Sequence, residues 1–321
     1  KRRGELTSRE ALALCGQLAE LGVERVSLSG GEPLLRNDWH LIARRLAEHN
    51  LSVTIVTNGW KLDRQAADRA ADAGVTAISI SLDGLEPTHD LCRRPGSFGR
   101  VANAFLMASG RGIRTRAVTT LTSHNLNELP ALKSLLGDWG VNEWRLQVAI
   151  PAGNLAKRRD IVPDRQQVRR AAEFILANRS DRFINIAAGD NLGYFMGNED
   201  ARNPARRLRD APWHGCQAGK LVIGIMSSGD VCGCTAIRDP RFIEGNVRAA
   251  PLLEIWSRPD AFASLRNRTP ADLKGRCRHC PRGSRCLGGC TAMRLAMAGD
   301  NSRLCDYTLD LDQGFVSPPV R

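Results

Sequence analysis

The sequence predicts an α/β chain: a parallel sheet with crossover helices, arranged as a barrel or partial barrel, followed by a small cysteine-rich segment. Three observations predict it. Strand and helix signals alternate from Arg25 to Ala149 at the spacing of right-handed crossover units. No Gly-x-Gly-x-x-Gly follows any of these strands, which weakens a dinucleotide-binding sheet and favours a barrel, with functional residues at the C-terminal strand ends. Beyond Trp213 the apolar periodicity gives way to Gly, Arg and Cys, a composition that needs metal ligation to supplement its packing.

The elements follow in order. Thr7-x-x-Glu10 is a capping box opening a helix whose apolar stripe runs Leu12, Cys15, Leu18 and Leu21. Cys15 therefore reads as a core residue, and Gly22 ends the helix. Arg25–Ser29 is a short buried strand, Trp39–His49 a helix, and Leu51–Thr57 a strand rich in β-branched residues. Helix Asp63–Ala73 stops at Gly74. Strand Ala77–Leu82, helix Phe98–Gly110, strand Arg114–Leu121, helix Glu128–Trp139 and strand Glu143–Ala149 complete a series of five strands. After Pro151 come a helix over Asp164–Ala177, a polar linker over Asn198–Trp213, a hairpin from Leu221–Met226 and Gly229–Val231, and a short helix near Leu252–Trp256.

At 321 residues the chain has room for about two domains, and with 42% hydrophobic and 25% charged residues it has an ordinary globular composition. No apolar run approaches the roughly 18–20 residues of a membrane helix. Lys plus Arg number 46 against 34 acidic residues, a net charge of +12. The basic residues are dispersed in small groups, with only eight Phe and two Tyr for stacking. Solvated helix faces and attraction for an anionic partner account for that pattern better than nucleic-acid binding.

Eight of the ten cysteines lie in the tail: Cys216, Cys232, Cys234, Cys277, Cys280, Cys286, Cys290 and Cys305. Disulfides would require an oxidising compartment, which nothing in the sequence indicates. Zinc favours paired Cys-x2-Cys knuckles, and Cys277-x2-Cys280 is the single such pair; His279 inside it reads as solvated. Iron–sulfur clusters take four thiolates each from irregular spacings, and eight are present.

The order Cys216, Gly229-x4-Cys234, Cys277-x2-Cys280-x5-Cys286-x3-Cys290 and Cys305 resembles the SPASM domain, the two-cluster extension of radical S-adenosylmethionine enzymes. Gly245-Asn246-Val247 and Glu254-Ile255-Trp256 resemble it too. The resemblance implies one auxiliary 4Fe-4S cluster on Cys277, Cys280, Cys286 and Cys305. It implies a second on Cys216, Cys234 and Cys290, with Cys232 as candidate fourth ligand or an open iron site instead.

The first half resembles the same family. Ser29-Gly30-Gly31-Glu32-Pro33 follows a strand; taken alone it is a turn, but in this company it resembles the motif holding the amino group of S-adenosyl-L-methionine. Glycines permit close backbone approach, and carbonyls with a carboxylate accept from an ammonium. Thr57-Asn58-Gly59 and Ser79-Ile80-Ser81-Leu82-Asp83-Gly84 stand at the next two strand ends. Gly30, Gly31, Glu32, Pro33, Asn58, Ser81 and Asp83 are thus the candidate cofactor-binding residues; Ser81 and Asp83 are equally readable as an Asx-type turn. Asn125, Arg145 and Gln147 are weaker candidates, and Cys92, without motif support, reads as structural.

The implied architecture is a partial (β/α) TIM-type barrel over residues 1–200 and a SPASM domain over 201–321. The family's Cys-x3-Cys-x2-Cys, which binds the cluster that cleaves S-adenosylmethionine, does not occur in the chain. With Lys1 in place of an initiator Met, the expectation is a truncated enzyme: a third cluster upstream of residue 1, and no activity in the chain as given. The resemblance implies a cytoplasmic maturase in which a 5′-deoxyadenosyl radical abstracts hydrogen from a peptide or protein side chain. A low-potential donor such as flavodoxin or ferredoxin would supply electrons, with no nucleic-acid or membrane partner. The alternatives are an enzyme acting on a sugar or tetrapyrrole precursor, and an iron–sulfur electron carrier or peptide-binding module.

Overall fold

The computed structural model describes residues 4–178, 181–189, 192 and 215–297. Helix α1 (Ser8–Glu20) starts at the expected capping box, with Glu10 N–H donating to Thr7 Oγ1 at 3.2 Å and Thr7 N–H to Glu10 Oε2 at 2.6 Å. Ala11, Leu14, Cys15 and Leu18 form its buried stripe. Cys15 is a core residue whose thiol donates to the Ala11 carbonyl, as the helical periodicity requires.

There follow β1 (Arg25–Leu28), α2 (Trp39–Glu48), β2 (Ser52–Thr57), α3 (Arg64–Asp72), β3 (Val75–Ser81), α4 (Glu86–Cys92), α5 (Ser97–Ser109), β4 (Arg114–Leu121), α6 (Leu129–Asp138), β5 (Glu143–Val148), α7 (Arg165–Ala177) and β6 (Asn185–Ala188). All six strands run parallel in sequential order, β1 to β6, the topology of a partial (β/α) barrel. Central β3 buries Val75, Ala77, Ile78 and Ile80, the near-continuous apolar run of a strand covered on both faces. Edge strand β1 is half exposed.

Among the described residues the sheet has one strand more than the five expected. Asn185-Ile186-Ala187-Ala188 is too short and too poor in β-branched residues to announce itself. It is a strand because β5 templates it, Trp144 pairing with Ile186 and both being buried. Helix α4 was likewise unexpected, and Cys92 stands exposed at its end.

In the tail the expected hairpin forms between β7 (Gly224–Ile225) and β8 (Asp230–Cys232), and β9 (Ile243–Asn246) adds an unforeseen third antiparallel strand. Helix α8 (Leu252–Ser257) falls where expected, but the rest is not all loop. Helices α9 (Ala263–Arg266), α10 (Gly283–Cys286) and α11 (Thr291–Ala296) are each too short to show a helical period. Leu6 N–H donates to the Ser227 carbonyl at 2.7 Å and Leu252 N–H to Gln17 Oε1 at 2.7 Å, so the tail packs on α1. Leu252, Ile255 and Phe262 continue the apolar core of the barrel. The expected domain boundary at residues 200 and 201 lies outside the described residues. Among those residues no helix is long and apolar enough to cross a membrane.

Candidate cofactor and cluster sites

The strand order places the ends of β1, β2 and β3 side by side, and with them the three sequence motifs. Gly30, at φ 125°, and Gly31 have no heavy atom within 4 Å of the place a Cβ would take. No protein neighbour would meet a side chain at either position, so the space beside them is available to a ligand. Neither carbonyl accepts a hydrogen bond among the described residues.

Glu32 ties β1 to β2. Its Oε1 accepts from Thr57 Oγ1 at 2.7 Å and from Leu34 N–H at 3.2 Å, and its Oε2 from Asn58 N–H at 2.8 Å. These occupy three of the roughly four acceptor positions of a carboxylate, which leaves one for an incoming cation. Pro33 opens the short 3₁₀ turn behind Glu32. Asn58 Oδ1 accepts from Trp60 N–H at 2.9 Å, an Asx turn; the Asx turn was expected at Ser81 and Asp83 instead.

Ser81 closes β3, half-buried, and its hydroxyl has no hydrogen bond among the described residues. Asp83 is instead turned into the protein. Its Oδ1 accepts from Thr120 N–H at 2.8 Å, its Oδ2 from Arg93 Nε at 2.6 Å, and its own N–H donates to His89 Nδ1 at 3.0 Å. Burial lowers the pKa of His89, which keeps the imidazole neutral and able to accept. Asn125, fully buried, donates from Nδ2 to the Asp83 and Thr120 carbonyls, both at 2.8 Å, and accepts from Thr122 N–H at 2.9 Å. Gln147 Nε2 reaches Thr120 Oγ1 at 3.4 Å. Glu128 braces the next turn, accepting from Leu85 N–H and Thr88 Oγ1. Sequence reasoning missed Thr120 and Glu128, which reach Asp83, Leu85 and Thr88 from β4 and from the turn before α6, and His89 and Arg93, which α4 folds back onto Asp83.

The tail thiols fall into two neighbourhoods. Cys290, the N-cap of α11, interacts electrostatically with Cys216 and Cys234. Cys280 interacts with Cys286, at the end of α10. Gly215 permits this assembly, since a Cβ there would stand 2.6 Å from the Cys286 carbonyl oxygen. Cys277 lies in the 3₁₀ turn Gly275–His279, and His279 is exposed. Cys232 neighbours Cys234, but its buried thiol donates to the Gly224 carbonyl at 3.5 Å. Burial pushes the Cys290 thiol up to about 11 and raises Cys280 and Cys232 as well.

Among the described residues no three such side chains are drawn into a site for a single metal ion. Cys305 lies outside the described residues.

The radical SAM superfamily model matches residues 1–136, and the SPASM iron–sulfur cluster-binding domain model matches residues 216–281. The chain is 30% identical over 312 residues to the pre-heme d1 synthase of Dinoroseobacter shibae, covering 92% of this chain and 77% of that protein. It is 27% identical over 295 residues to the mycofactocin maturase MftC of Mycolicibacterium smegmatis, covering 90% and 71%. The structure of Streptococcus suis SuiB bound to precursor peptide SuiA superposes with a TM-score of 0.74 at 20% identity, over 92% of this chain and 67% of that one; this likeness is one of fold. The two family models and the 30% identical relative together define an iron–sulfur protein with S-adenosylmethionine as cofactor. The chain belongs to the radical SAM superfamily, in the branch carrying a C-terminal SPASM domain, and 4Fe-4S clusters and S-adenosylmethionine are its cofactors.

Proposed function

We propose that this chain is the cofactor-binding and auxiliary-cluster part of a radical enzyme that modifies a peptide or protein side chain. The observation that carries the cofactor site is the open cradle at Gly30 and Gly31 beside the one remaining acceptor position of Glu32. These carbonyls and that carboxylate receive the ammonium of S-adenosylmethionine, and the Ser81 hydroxyl serves its ribose or methionine moiety. Pro33, Asn58 and Asp83 position the three loops. Cys277, Cys280, Cys286 and Cys305 hold one cluster; Cys216, Cys234 and Cys290 hold the other, with Cys232 as the local fourth candidate. Bound there beside a reduced cluster, the cofactor would supply the radical chemistry for hydrogen abstraction from an unactivated carbon, while these residues hold and orient it.

An anionic substrate fits the surface. Arg94 and Arg100 lie over the Trp60 ring, at 3.2 and 5.3 Å from its centroid, just beyond the end of β2. The chain carries a net charge of +12, which favours an acidic peptide by long-range attraction, and MftC is among the relatives. The higher identity to pre-heme d1 synthase favours a second reading, a tetrapyrrole precursor whose carboxylates meet the same arginines. The low-potential donor is of flavodoxin or ferredoxin type, and the compartment is the cytoplasm, where thiols stay reduced.

The test is a salt titration of binding to an acidic synthetic peptide, a porphyrin tetracarboxylate and a random oligonucleotide of matched charge. Peptide affinity is expected to fall as salt screens attraction over about 8 Å, less steeply than release of many phosphate counterions would require. Tighter binding of the porphyrin would replace the peptide reading with the second. Tighter binding of the oligonucleotide would overturn both.

A further inference from the structure

Two arginines of the cysteine-rich domain stand side by side with little carboxylate to balance them. Arg268, following α9, donates from Nε to the Leu287 carbonyl at 2.9 Å and from Nη2 to the Asp272 carbonyl at 3.3 Å. Arg294, on α11, reaches Thr291 Oγ1 from Nη2 at 3.4 Å, and its Nε is buried without an acceptor among the described residues. Both flank Gly288: a Cβ there would lie 3.6 Å from Arg268 Nη2 and 3.6 Å from Arg294 Cδ.

The charges acting on this pair, among the described residues, are the two arginines themselves, Asp272 and three cysteines. Arg268 is tied to the carbonyl of Leu287, next to Cys286, and the backbone N–H of Arg294 donates to the Cys290 carbonyl at 3.0 Å. Electrostatic interaction links Arg268 with Cys277 and Cys216, and Arg294 with Cys216 and Cys290. Burial works against both guanidinium charges and is the main influence on each. Neutral thiols would leave that cost uncompensated, whereas anionic sulfur would offset it.

We propose that Arg268 and Arg294 form a cationic bridge between the two auxiliary-cluster sites and raise the reduction potentials of the clusters there. The inference rests on the reading of the tail cysteines as cluster ligands. Reduction adds one electron, and hence one negative charge, to a thiolate-bound cluster. A fixed cation close to the ligand sulfurs favours the reduced form. Cys216 interacts electrostatically with both arginines, and Arg294 is bonded through its backbone N–H to the Cys290 carbonyl, so the cluster on Cys216, Cys234 and Cys290 feels the larger effect. Arg268 also acts on the other cluster, through Cys277.

The experiment is a redox titration monitored by electron paramagnetic resonance on the anaerobically reconstituted full chain, with iron and sulfide measured alongside. Arg294→Met is expected to move one midpoint to more negative potential, and Arg268→Met to move both. Arg294→Lys and Arg268→Lys, which keep the charge, are expected to stay near the unsubstituted protein. Loss of iron in the Met variants with full loading in the Lys variants would also support the bridge, since charge would then be needed to hold the clusters at all. Unmoved midpoints at full iron content, or an equal shift or iron loss in the Lys variants, would overturn it. An unsubstituted protein that takes up no iron would instead refute the ligand assignment.

Discussion

Arg248 and Glu10, 238 positions apart, join the cysteine-rich domain to the first helix: Arg248 Nε donates to Glu10 Oε1 at 2.5 Å and Nη2 to Oε2 at 3.0 Å. The same carboxylate closes the capping box on Thr7. Arg248 also donates to the Gly4 and Glu5 carbonyls, at 3.0 and 3.1 Å. One acidic side chain therefore caps a helix and clamps a domain.

This clamp is expected to be pH-dependent. The Arg248 hydrogen bonds, followed by those of Thr7, hold Glu10 at about 2, below the ordinary 4.5. A carboxyl with a depressed pKa in the folded state stabilises fully above its unfolded value and loses that contribution as pH falls through the folded one. The melting temperature of Arg248→Gln is thus expected to lie below that of the unsubstituted protein near neutrality. The gap is expected to close between about pH 4.5 and about pH 2. A gap that stays constant over that range would contradict the assignment.

Iron, not zinc, is the expected metal. Anaerobically purified protein is expected to hold about eight iron atoms with matching sulfide, two four-iron clusters. Cys280→Ala or Cys286→Ala is expected to lose one cluster and loosen the tail, whose fold depends on the metal. Cys15→Ala is expected to leave iron content unchanged, because its thiol bonds within the barrel core. Metal analysis of the three variants checks this, and stoichiometric zinc in the unsubstituted chain would refute it.

Thr57→Val removes the hydroxyl that donates to Glu32 and accepts from Gly59 N–H. A hydrogen bond to a charged group contributes about 1.5–3 kcal/mol, so denaturant unfolding is expected to show a loss of that order. Calorimetric titration is expected to show weaker binding of S-adenosylmethionine. Thr57→Ser, which keeps the hydroxyl, is expected to recover most of both.

Asn125→Ala leaves the Asp83 and Thr120 carbonyls and the Thr122 N–H without their buried partner. Each unsatisfied buried group costs about 1–3 kcal/mol, and relaxation reduces the sum. A loss of roughly 2–4 kcal/mol in urea unfolding is the expected result; a loss under about 0.5 kcal/mol would mean that the buried network is not needed.

The chain contains no Cys-x3-Cys-x2-Cys. With dithionite and S-adenosylmethionine it is expected to form no 5′-deoxyadenosine, while a form extended by a segment carrying that motif is expected to form it. Chromatographic detection of 5′-deoxyadenosine decides the matter, and production by the chain alone would show that other residues serve the reducing cluster.

The strands that alternate with long helices were legible because each buries an apolar face with its own period, as in the stripe of α1 and the apolar run of β3. The capping box at Thr7 and the stop at Gly74 were legible because they are local hydrogen-bonding and backbone effects. Strand β6 was not, since it has a single β-branched residue and forms on the template of β5, and the helices α9 to α11 were not, since they are short turns in a Gly-, Arg- and Cys-rich stretch that reads as loop. At the site, the motifs around Glu32, Asn58 and Ser81 were legible as residue types at strand ends, but the direction in which Asp83 points was not. Its partners, Thr120 and Arg93, are brought to it by the pairing of β3 with β4 and by the turn after α4.

By itself the sequence determined the order of strands β1 to β5 and of the long helices between them, the position of the glycine-rich loop and the number of tail thiols. These follow from side-chain period, turn chemistry and the count of ligand atoms, all properties of a local stretch. Only the tertiary structure decided that Glu32 binds β2 while keeping one acceptor position, and that Asp83 braces the site from within. It alone set Arg268 beside Arg294, and Arg248 on Glu10. Those relationships join residues far apart in the chain. Their energies arise from burial and from charges brought within hydrogen-bonding or Coulombic range, and neither exists until the chain has folded.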